Sequence, residues 1–357
     1  MDFFKKKWWL TPLVLLLLIA LLHLFATQHL WVEKFYSAAF YPVIASFLRI
    51  LTAWIPFSLG DILYVLLIIW VLVEVIRFFR KQPTWKKLFF SLRNLLVKFL
   101  WLYLFFLMIW ALNYYRYGIG YKLQIYPDTY NTNDLKKITA QLIEKINSSR
   151  KLIDSLHIQY ADGKTTLQQA AGLYETVKKQ YPFLEYDHHS VKKMLFAGAG
   201  NYGGFLGYYN PFTGEAQVNT QVPPFIVPFT ACHEIGHQLG FASESEASFV
   251  GFLAIRSGNS TVFNYSAYFD LFGFANGELY MRDSSAAKQN VKLLDTLVRK
   301  DYAEYRQYLK SYQNPIEPLL TKIYGKYLEA HNQPKGIDSY DEVVAWIIAY
   351  YKKYGKL

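Results

Sequence analysis

The chain of 357 residues has a single cysteine, Cys232, which excludes an internal disulfide. It has no internal repeat and no low-complexity run, so a repeat architecture is also excluded. The glycines between residues 198 and 204 precede no Lys-Ser or Lys-Thr pair and lie in no βαβ pattern, so they form no nucleotide-binding loop. These absences leave a globular protein or a membrane protein.

Charge is scarce in the first third of the chain. Residues 1–113 contain 12 of the 38 Lys and Arg residues and four of the 27 Asp and Glu residues. Most of the net charge of +11 therefore belongs to the flanks of apolar segments, and the remainder of the chain is close to balanced. We expect a lipid bilayer as a partner and no nucleic acid.

Apolar runs in this part are long enough to cross a hydrocarbon core about 30 Å thick. They predict membrane spans at about residues 10–28, 58–79 and 95–115. Residues 35–57 are also apolar, but they contain Pro42 and Arg49. Counting this segment as a fourth span would place the basic loop between residues 77 and 98 outside, against the positive-inside rule. We therefore predict that 35–57 is re-entrant or interfacial, that the N-terminus is cytoplasmic, and that the chain after residue 115 lies outside.

Residues 116–357 have the composition of a globular domain. Helical periodicity recurs near residues 133–156, 167–180, 264–275, 284–312, 316–330 and 339–354. Between residues 205 and 219, alternating apolar residues around a turn at Asn210–Gly214 predict a β-hairpin. The predicted fold is an α-helical membrane unit over residues 1–115, followed by an α+β, mostly helical domain with a small β-hairpin or sheet.

Residues 232–240 read CHEIGHQLG and contain the pattern H-E-x-x-H. Pro228 favours a helix start and Gly240 a helix end, so the pattern is predicted to be helical. On a helix, His233 and His237 share one face about 6 Å apart, so both imidazoles can reach one metal ion. The spacing therefore predicts a pair of metal ligands.

The chemistry of this pattern is that of a zinc hydrolase. Zinc binds imidazole well, and a catalytic zinc site uses three protein ligands and leaves the fourth position to a water molecule, whose pKa falls to about 7. Glu234, next to the first ligand, is placed to take a proton from that water and to pass it to the leaving amine. We predict Zn²⁺ as the cofactor and Glu234 as the general base and acid.

A third ligand is expected shortly after the pattern. Ser243 is a candidate N-cap for a second helix, whose first turn contains Glu244 and Glu246. Either carboxylate could return to the metal ion. The spacing leaves both candidates open.

The sequence around these residues resembles that of zincin metallopeptidases. In the glutamate-ligand branch of zincins, the third ligand belongs to a helix that reads E-x-x-x-D or E-x-x-A-N, and the residue four positions later supports a ligand histidine. The resemblance implies Glu244 as the third ligand, with Glu246 as the alternative, and it places Ser248 in the supporting position. It also implies a zincin-like catalytic domain over residues 116–357.

The chain as a whole is similar to a bacterial family of membrane proteins of unknown function with a zincin-like site. The similarity lies in the order of its features, which are membrane spans, then GYYNPFTGEA, then PFTACHEIGHQ, and then E-x-E-A-x-F. The resemblance covers most of the chain and brings no particular substrate. It implies a multi-pass protein of the bacterial inner (plasma) membrane, and the charge distribution predicts that the catalytic domain lies on the periplasmic or extracellular side.

In zincins, an exposed strand upstream of the pattern binds an extended peptide through main-chain hydrogen bonds. The resemblance gives residues 205–219 this role, with Tyr208, Tyr209, Asn210 and Asn219 as substrate-binding residues. The expected function is a membrane-anchored zinc metallopeptidase that hydrolyses peptide bonds of a peptide or protein with a metal-activated water. The alternative is a non-catalytic, zinc-containing membrane sensor or scaffold derived from a zincin, which a closed site with four protein ligands would favour.

Overall fold

A computed structural model describes residues 10–80, 84–127, 130–336, 338 and 342–357. Apolar helices form the N-terminal part of the described chain, and a mostly helical region with one small sheet follows. This order confirms the coarse prediction of an apolar helical unit followed by a mostly helical α+β region.

Three of the N-terminal helices have the length and composition of membrane helices, and helix α1, Leu10–Ala26, is a shorter apolar helix of 17 residues. Helix α2 (His29–Thr52), helix α3 (Leu59–Arg80) and the segment Leu88–Ile109 of helix α4 (Trp85–Ile109) are each long and apolar enough to cross a membrane. At 1.5 Å per residue, the 22 residues of α3 extend about 33 Å, which matches the hydrocarbon core. These helices indicate a membrane-anchored protein.

The ends of these helices differ from the predicted boundaries. Helix α4 starts well before the predicted span 95–115, and a 3-10 turn over Ala111–Tyr115 follows it. Lys and Arg are good helix formers, so the charges that end an apolar run do not end the helix. Helix α2 likewise begins before the predicted segment 35–57, and its residues Val32–Phe40 form π-helical turns.

Helix α2 contacts the globular region after residue 115 at both of its ends. Near its start, Glu33 is buried in an ion pair with Arg116, with 2.8 Å between Oε1 and the guanidinium nitrogen. At its end, the Thr52 hydroxyl lies 2.8 Å from that of Ser190. Length and hydropathy alone admit α2 as a membrane span, but these contacts place both of its ends beside the globular region.

The globular region after residue 115 is built from helices packed around two central ones, α9 and α10. The bounds are α5 Gly118–Leu123, α6 Thr132–Ser155, α7 Gly163–Val177, α8 Ala197–Gly203, α9 Val227–Gln238, α10 Glu244–Ser257, α11 Thr261–Arg282, α12 Ser284–Leu293, α13 Thr296–Tyr312, α14 Glu317–Ala330 and α15 Val343–Tyr354. The single segment predicted at 284–312 is thus two helices, α12 and α13.

Helices α9 and α10 cross with their backbones in close approach. A Cβ added at Gly236 of α9 would lie 3.0 Å from the Ala247 carbonyl oxygen, and one added at Gly251 of α10 would lie 3.0 Å from the His233 nitrogen. A larger residue at either position would push the two backbones apart, so the glycines set the distance between the residues that the two helices present. The crossing lies within the main hydrophobic core.

The sheet has the strand order β1-β3-β2. Strands β2 (Gly207–Asn210) and β3 (Glu215–Val218) form the predicted hairpin, and β1 (Val191–Lys193) pairs in parallel with β3. Strand β1 was not predicted, because three residues are too few to show an alternating pattern. Within the described ranges, β2 pairs on one side only, and its first residue lies against helix α9.

Candidate metal centre

The H-E-x-x-H pattern lies on α9, as the spacing predicts. Pro228 stands in the first turn, and the buried surface of the helix includes both histidines. The ring centroids of His233 and His237 are 4.7 Å apart, and the ring planes are nearly perpendicular. Together with Glu234, the two histidines offer ligand atoms that all lie within 4.8 Å of one another, so this group could hold a metal ion.

Glu244 is the carboxylate that reaches both histidines. Its Oε2 lies 3.2 Å from Nε2 of His233 and 3.2 Å from Nε2 of His237. Glu246, the other candidate, accepts a hydrogen bond from the Ile119 nitrogen at 2.8 Å and lies against α5 instead. The first turn of α10 therefore brings only the first of its two acids to the histidines.

The ring nitrogens that face away from Glu244 are also bonded. His237 Nδ1 lies 2.8 Å from the Phe241 carbonyl oxygen, which can only accept, so Nδ1 carries the proton. His233 Nδ1 lies 2.9 Å from the Ser248 hydroxyl, the residue that the sequence places in the supporting position. Such bonds fix the ring orientation and leave Nε2 of each histidine as the ligand atom.

This donor set fits a tetrahedral zinc ion. With bonds of about 2.0–2.1 Å, two ligand atoms of a tetrahedral site are about 3.3 Å apart. The Oε2 of Glu244 has this separation from both imidazole nitrogens. Three electron-pair donors that converge in this way repel one another unless a proton or a cation lies among them. The two imidazoles and one carboxylate are thus a donor set that could hold a divalent metal ion.

The pKa values in this cluster depend strongly on one another. Burial alone would raise the pKa of Glu244, but the charge of His237 and hydrogen bonds from both histidines hold it well below its usual range. Burial lowers the pKa of His233, whereas at His237 the neighbouring Glu244 outweighs burial and raises the pKa to about 9. Without a metal ion, a proton is thus held between His237 and Glu244, and a metal ion would displace it.

Glu234 has the environment expected of a general base. Its Oε2 is buried, and no group in the described part of the chain donates a hydrogen bond to it. Burial raises the pKa of Glu234 to about 8, with His237 opposing the shift and Glu244 adding to it. A nearby divalent cation would lower this pKa again.

Strand β2 approaches Glu234 closely because it begins with glycine. A Cβ added at Gly207 would lie 2.6 Å from Glu234 Oε1 and 2.8 Å from the Gln217 carbonyl oxygen. Any side chain at this position would displace Glu234 or open the hairpin. The edge strand that the zincin resemblance assigns to peptide binding therefore borders the candidate general base.

Two cavities meet at Glu234. Cavity 1, about 370 Å³, has His233, Glu234 and Ser248 in its wall, and cavity 2, about 360 Å³, has Glu234, His237 and Glu244. The cavities share Phe205, Gly207, Glu234 and Tyr324. A groove therefore passes the three candidate ligands on both sides of the candidate general base.

The predicted substrate-binding residues divide into two groups. Tyr208 and Tyr209 line cavity 2, although the Tyr208 hydroxyl donates to Asp61. Asn210 is fully buried and caps its own turn, accepting from the Phe212 and Thr213 nitrogens.

Asn219 is also fully buried, and its amide donates to Asn201 and to the Phe205 carbonyl. The structure thus gives both asparagines internal hydrogen-bonding partners instead of places in the groove. Asn210 lies at the hairpin turn and Asn219 directly after β3, where backbone groups that the strands leave unpaired need side-chain partners.

Sequence reasoning missed residues that come from distant helices. The Tyr324 hydroxyl of α14 donates to Glu244 Oε1 and so leaves Oε2 facing the histidines. Asp270 of α11 lines cavity 1. Both belong to amphipathic helices, where a tyrosine or an acid at helical spacing gives no signal that separates a site residue from a core or surface residue.

The metal centre also contacts the N-terminal helices directly. Trp110, just after α4, packs edge-on against the His237 ring with centroids 6.2 Å apart. The Tyr41 hydroxyl of α2 donates to the Gln238 carbonyl oxygen at 3.0 Å. Cavity 2 takes part of its wall from Tyr64 of α3 and Phe106 of α4. The candidate site therefore lies where the apolar helices meet the globular region.

The fold and the site define a membrane-anchored, mostly helical protein with a His-Glu-His group that could hold a metal ion. The chain belongs to the family described as "Protein of unknown function (DUF3810)", whose model matches residues 36–348. No curated protein and no solved structure matches the chain.

Proposed function

We propose that the protein is a membrane-anchored zinc metallopeptidase that hydrolyses peptide bonds. One observation carries the proposal: Glu244 Oε2 lies 3.2 Å from Nε2 of both histidines, beside a Glu234 oxygen that no described group binds. Three ligands next to a groove leave room for water and substrate, as in catalytic zinc sites.

The residues around the groove have separate tasks in this proposal. A bound zinc ion would supply Lewis acidity, which lowers the pKa of water and polarises a carbonyl group. Glu234 takes the proton of the attacking water and returns it to the leaving amine. Strand β2 binds the substrate backbone along its unpaired edge, and Tyr324 orients Glu244.

The proposal is tested on the full chain, purified from membranes and assayed against a mixed peptide library with product detection by mass spectrometry. We expect about one zinc ion per chain and peptide hydrolysis. Glu234→Gln should keep the zinc and lose about 100- to 10,000-fold in rate, because only proton transfer is removed. His237→Ala should lose the zinc. As a control, Glu144→Gln changes the same residue type on the exposed face of α6 and should leave both properties unchanged.

Activity that persists in Glu234→Gln would refute the assigned role of this residue. The alternative, a non-catalytic zinc sensor or scaffold, predicts a bound zinc ion, no hydrolysis of any library peptide, and a fourth protein ligand in the X-ray absorption spectrum. A protein that binds no zinc or other divalent metal would refute both candidates.

The proposal includes an orientation in the bacterial inner (plasma) membrane. The start of α3 lies at the sheet, where the Gly60 nitrogen donates to Glu215 at 2.6 Å, and the end of α4 lies at His237. The basic residues at the end of α3 and the start of α4, which include Arg77, Arg80 and Arg93, are therefore at the far end of both helices. The positive-inside rule assigns these residues to the cytoplasm, so the metal centre lies on the periplasmic or extracellular side.

The same reasoning gives three crossings. Ala26, at the end of α1, packs in one cluster with Trp110 and Ala242 beside the metal centre. Helix α2 begins and ends on that side, so α1, α3 and α4 cross the membrane and α2 lies along the outer surface. The N-terminus is then cytoplasmic, in agreement with Lys5, Lys6 and Lys7 before the first span.

A further inference from the structure

Cavity 1 contains an acid that the proposed mechanism does not use. Asp270 lies on α11, one turn after Ser266, whose hydroxyl accepts a hydrogen bond from the Phe229 nitrogen at 3.0 Å. This bond fixes α11 against the first turn of α9, so Asp270 has a defined place in the wall of cavity 1 with Thr230 and His233. Asp270 thus lines the same cavity as His233 and Glu234 of the candidate metal centre.

Asp270 is partly buried, and it lacks the hydrogen-bonding partners that most fully buried acids of the described chain have. Each of those acids except Glu234 accepts a hydrogen bond or an ion pair; they are Glu33, Asp61, Glu215, Glu244, Glu246 and Asp301. Glu234 Oε2 is buried without a donor, and the partly buried Asp270 makes no hydrogen bond or ion pair with another described residue. Both exceptions line cavity 1, and Glu234 has a proposed task there.

The lining of cavity 1 supplies no positive charge to Asp270. The residues in its wall are Gly203, Gly204, Phe205, Leu206, Gly207, Phe229, Thr230, His233, Glu234, Ser248, Asp270, Phe274, Tyr305, Thr321 and Tyr324. Among these described residues there is no Lys or Arg. Burial raises the pKa of Asp270 to about 7, which is the response of a carboxyl group that lacks a cation.

A water-solvated aspartate on a helix would need no ligand. Two features argue for one here: the carboxylate is partly buried among Phe274 and Tyr305 in a cavity wall, and the cavity belongs to the candidate catalytic groove. A carboxylate in such surroundings is stabilised by a charged hydrogen-bond donor. A substrate is the component that can bring this donor.

We infer that Asp270 makes cavity 1 a recognition pocket for a cationic nitrogen of the substrate, an ammonium or guanidinium group carried by the residue that occupies this cavity beside the scissile bond. The inference rests on the proposed peptidase function. The nitrogen can come from a Lys or Arg side chain or from the amino terminus of a peptide. The aromatic rings of Phe274 and Tyr305 would contact the apolar part of the same group.

The first test measures cleavage by the zinc-loaded full chain. We expect the sites cut in a mixed peptide library to be enriched in Lys or Arg at one position, or at the amino terminus. The same library with acetylated amino termini separates these two sources. In Asp270→Asn the enrichment should disappear, and kcat/KM for a Lys peptide should fall about 10- to 100-fold while that of its norleucine analogue stays within about 3-fold.

The second test needs no activity. Benzamidine and benzamide have nearly the same shape, but only benzamidine is a cation. The affinity of each compound for the Glu234→Gln protein is measured by thermal shift or ligand-observed NMR. We expect an affinity about 10-fold higher for benzamidine, and Asp270→Asn should abolish this difference. Glu144→Gln is the matched control, because it removes one exposed carboxylate of α6.

The outcomes separate the pocket from the function. Hydrolysis without a cationic preference, or a preference that survives in Asp270→Asn, would overturn the inference and leave the peptidase proposal intact. Equal binding of benzamidine and benzamide would also overturn it. A zinc-loaded protein that cleaves no peptide but discriminates the two probes through Asp270 would refute the peptidase and keep the pocket. Zinc content and Tm of Asp270→Asn should equal those of the unchanged chain.

Discussion

At the scale of single residues, the candidate site depends on small side chains as much as on its ligands. Gly207 allows β2 to lie against Glu234, and Ser248 holds one ring of the histidine pair. Neither residue would bind the metal ion itself. A substitution at Gly207 should therefore affect the catalytic step, and a substitution at Ser248 should affect the affinity for the metal ion.

Gly207→Ala is expected to lower peptidase activity at least about 10-fold with zinc retained. The new Cβ would lie 2.6 Å from Glu234 Oε1 and would displace a general base that needs accurate placement. Steady-state kinetics with parallel zinc analysis measures this. Gly172→Ala is the matched control, because an added Cβ there meets nothing within 4 Å. Equal activity of the two variants would contradict the role given to Gly207.

Ser248→Ala is expected to weaken zinc binding about 10- to 100-fold, as the loss of a hydrogen bond to a ligand histidine usually does. The lost contact is the 2.9 Å bond between the serine hydroxyl and His233 Nδ1. Competition with a chromogenic zinc chelator measures the affinity. Ser257→Ala, at the end of the same helix, removes a hydroxyl that binds only its own turn and should change nothing. An unchanged affinity in Ser248→Ala would remove this residue from the site.

The residues of the site differ in how far the sequence predicts them. The spacing of His233 and His237 is local, so helix geometry alone brings the two rings together. The zincin resemblance favoured Glu244 over Glu246, and the geometry now brings Glu244 to the histidines. The positive φ of 85° at Gly240 gives the tight turn between α9 and α10. Tyr324 and Asp270 arrive from helices far along the chain, and no local pattern predicts such tertiary contacts.

At the scale of secondary-structure elements, α2 is the element whose place least follows from composition. Its hydropathy admits a membrane span, while its polar residues bind the globular region: Arg49 Nε donates to the Asp187 carbonyl at 2.8 Å. A hydropathy window averages over all residues of the helix. It therefore does not show that one arginine is buried and bound to a specific partner. The long helices and the hairpin were predictable, because their periodicity extends over many residues.

The position of α2 can be measured by cysteine labelling in intact cells. Gln28→Cys, before α2, and Trp54→Cys, after it, should both react with a membrane-impermeant maleimide from the periplasmic or extracellular side. Thr84→Cys, directly before α4, should react only after the membrane is opened. The natural Cys232 is fully buried and gives little background. Reaction of Gln28→Cys and Trp54→Cys from opposite sides would show that α2 crosses the membrane.

At the scale of the whole molecule, the globular region and the N-terminal helices share one polar network. The Lys192 ammonium donates to the Thr52 carbonyl at 2.8 Å, and Glu215 accepts from the first residues of α3. Glu33 of α2 binds Arg116 and Lys122 at 2.8 and 3.0 Å. The predicted boundary at residue 115 therefore divides the sequence by composition, while the interactions cross it.

Arg116→Ala is expected to destabilise the protein by about 3 kcal/mol, because it leaves the buried Glu33 carboxylate with fewer partners. Both side chains of this pair are less than 5% exposed, so solvent screens the interaction weakly. Thermal unfolding in a mild detergent, followed by intrinsic fluorescence, should show a clear fall in Tm. Lys326→Ala breaks an exposed pair on α14 and should leave Tm unchanged. Equal Tm values would show that the pair contributes no net stability.

The aromatic wall of cavity 2 is expected to affect how the protein behaves once it is extracted from lipid. Tyr64, Phe106 and Trp110 come from the apolar helices or their ends, and the same cavity reaches Glu234 and His237. An alkyl surfactant tail is an apolar chain of the kind that such rings bind. Solubilisation would therefore supply a competitor for substrate, and turnover should rise when short-tailed surfactant is exchanged for a nanodisc.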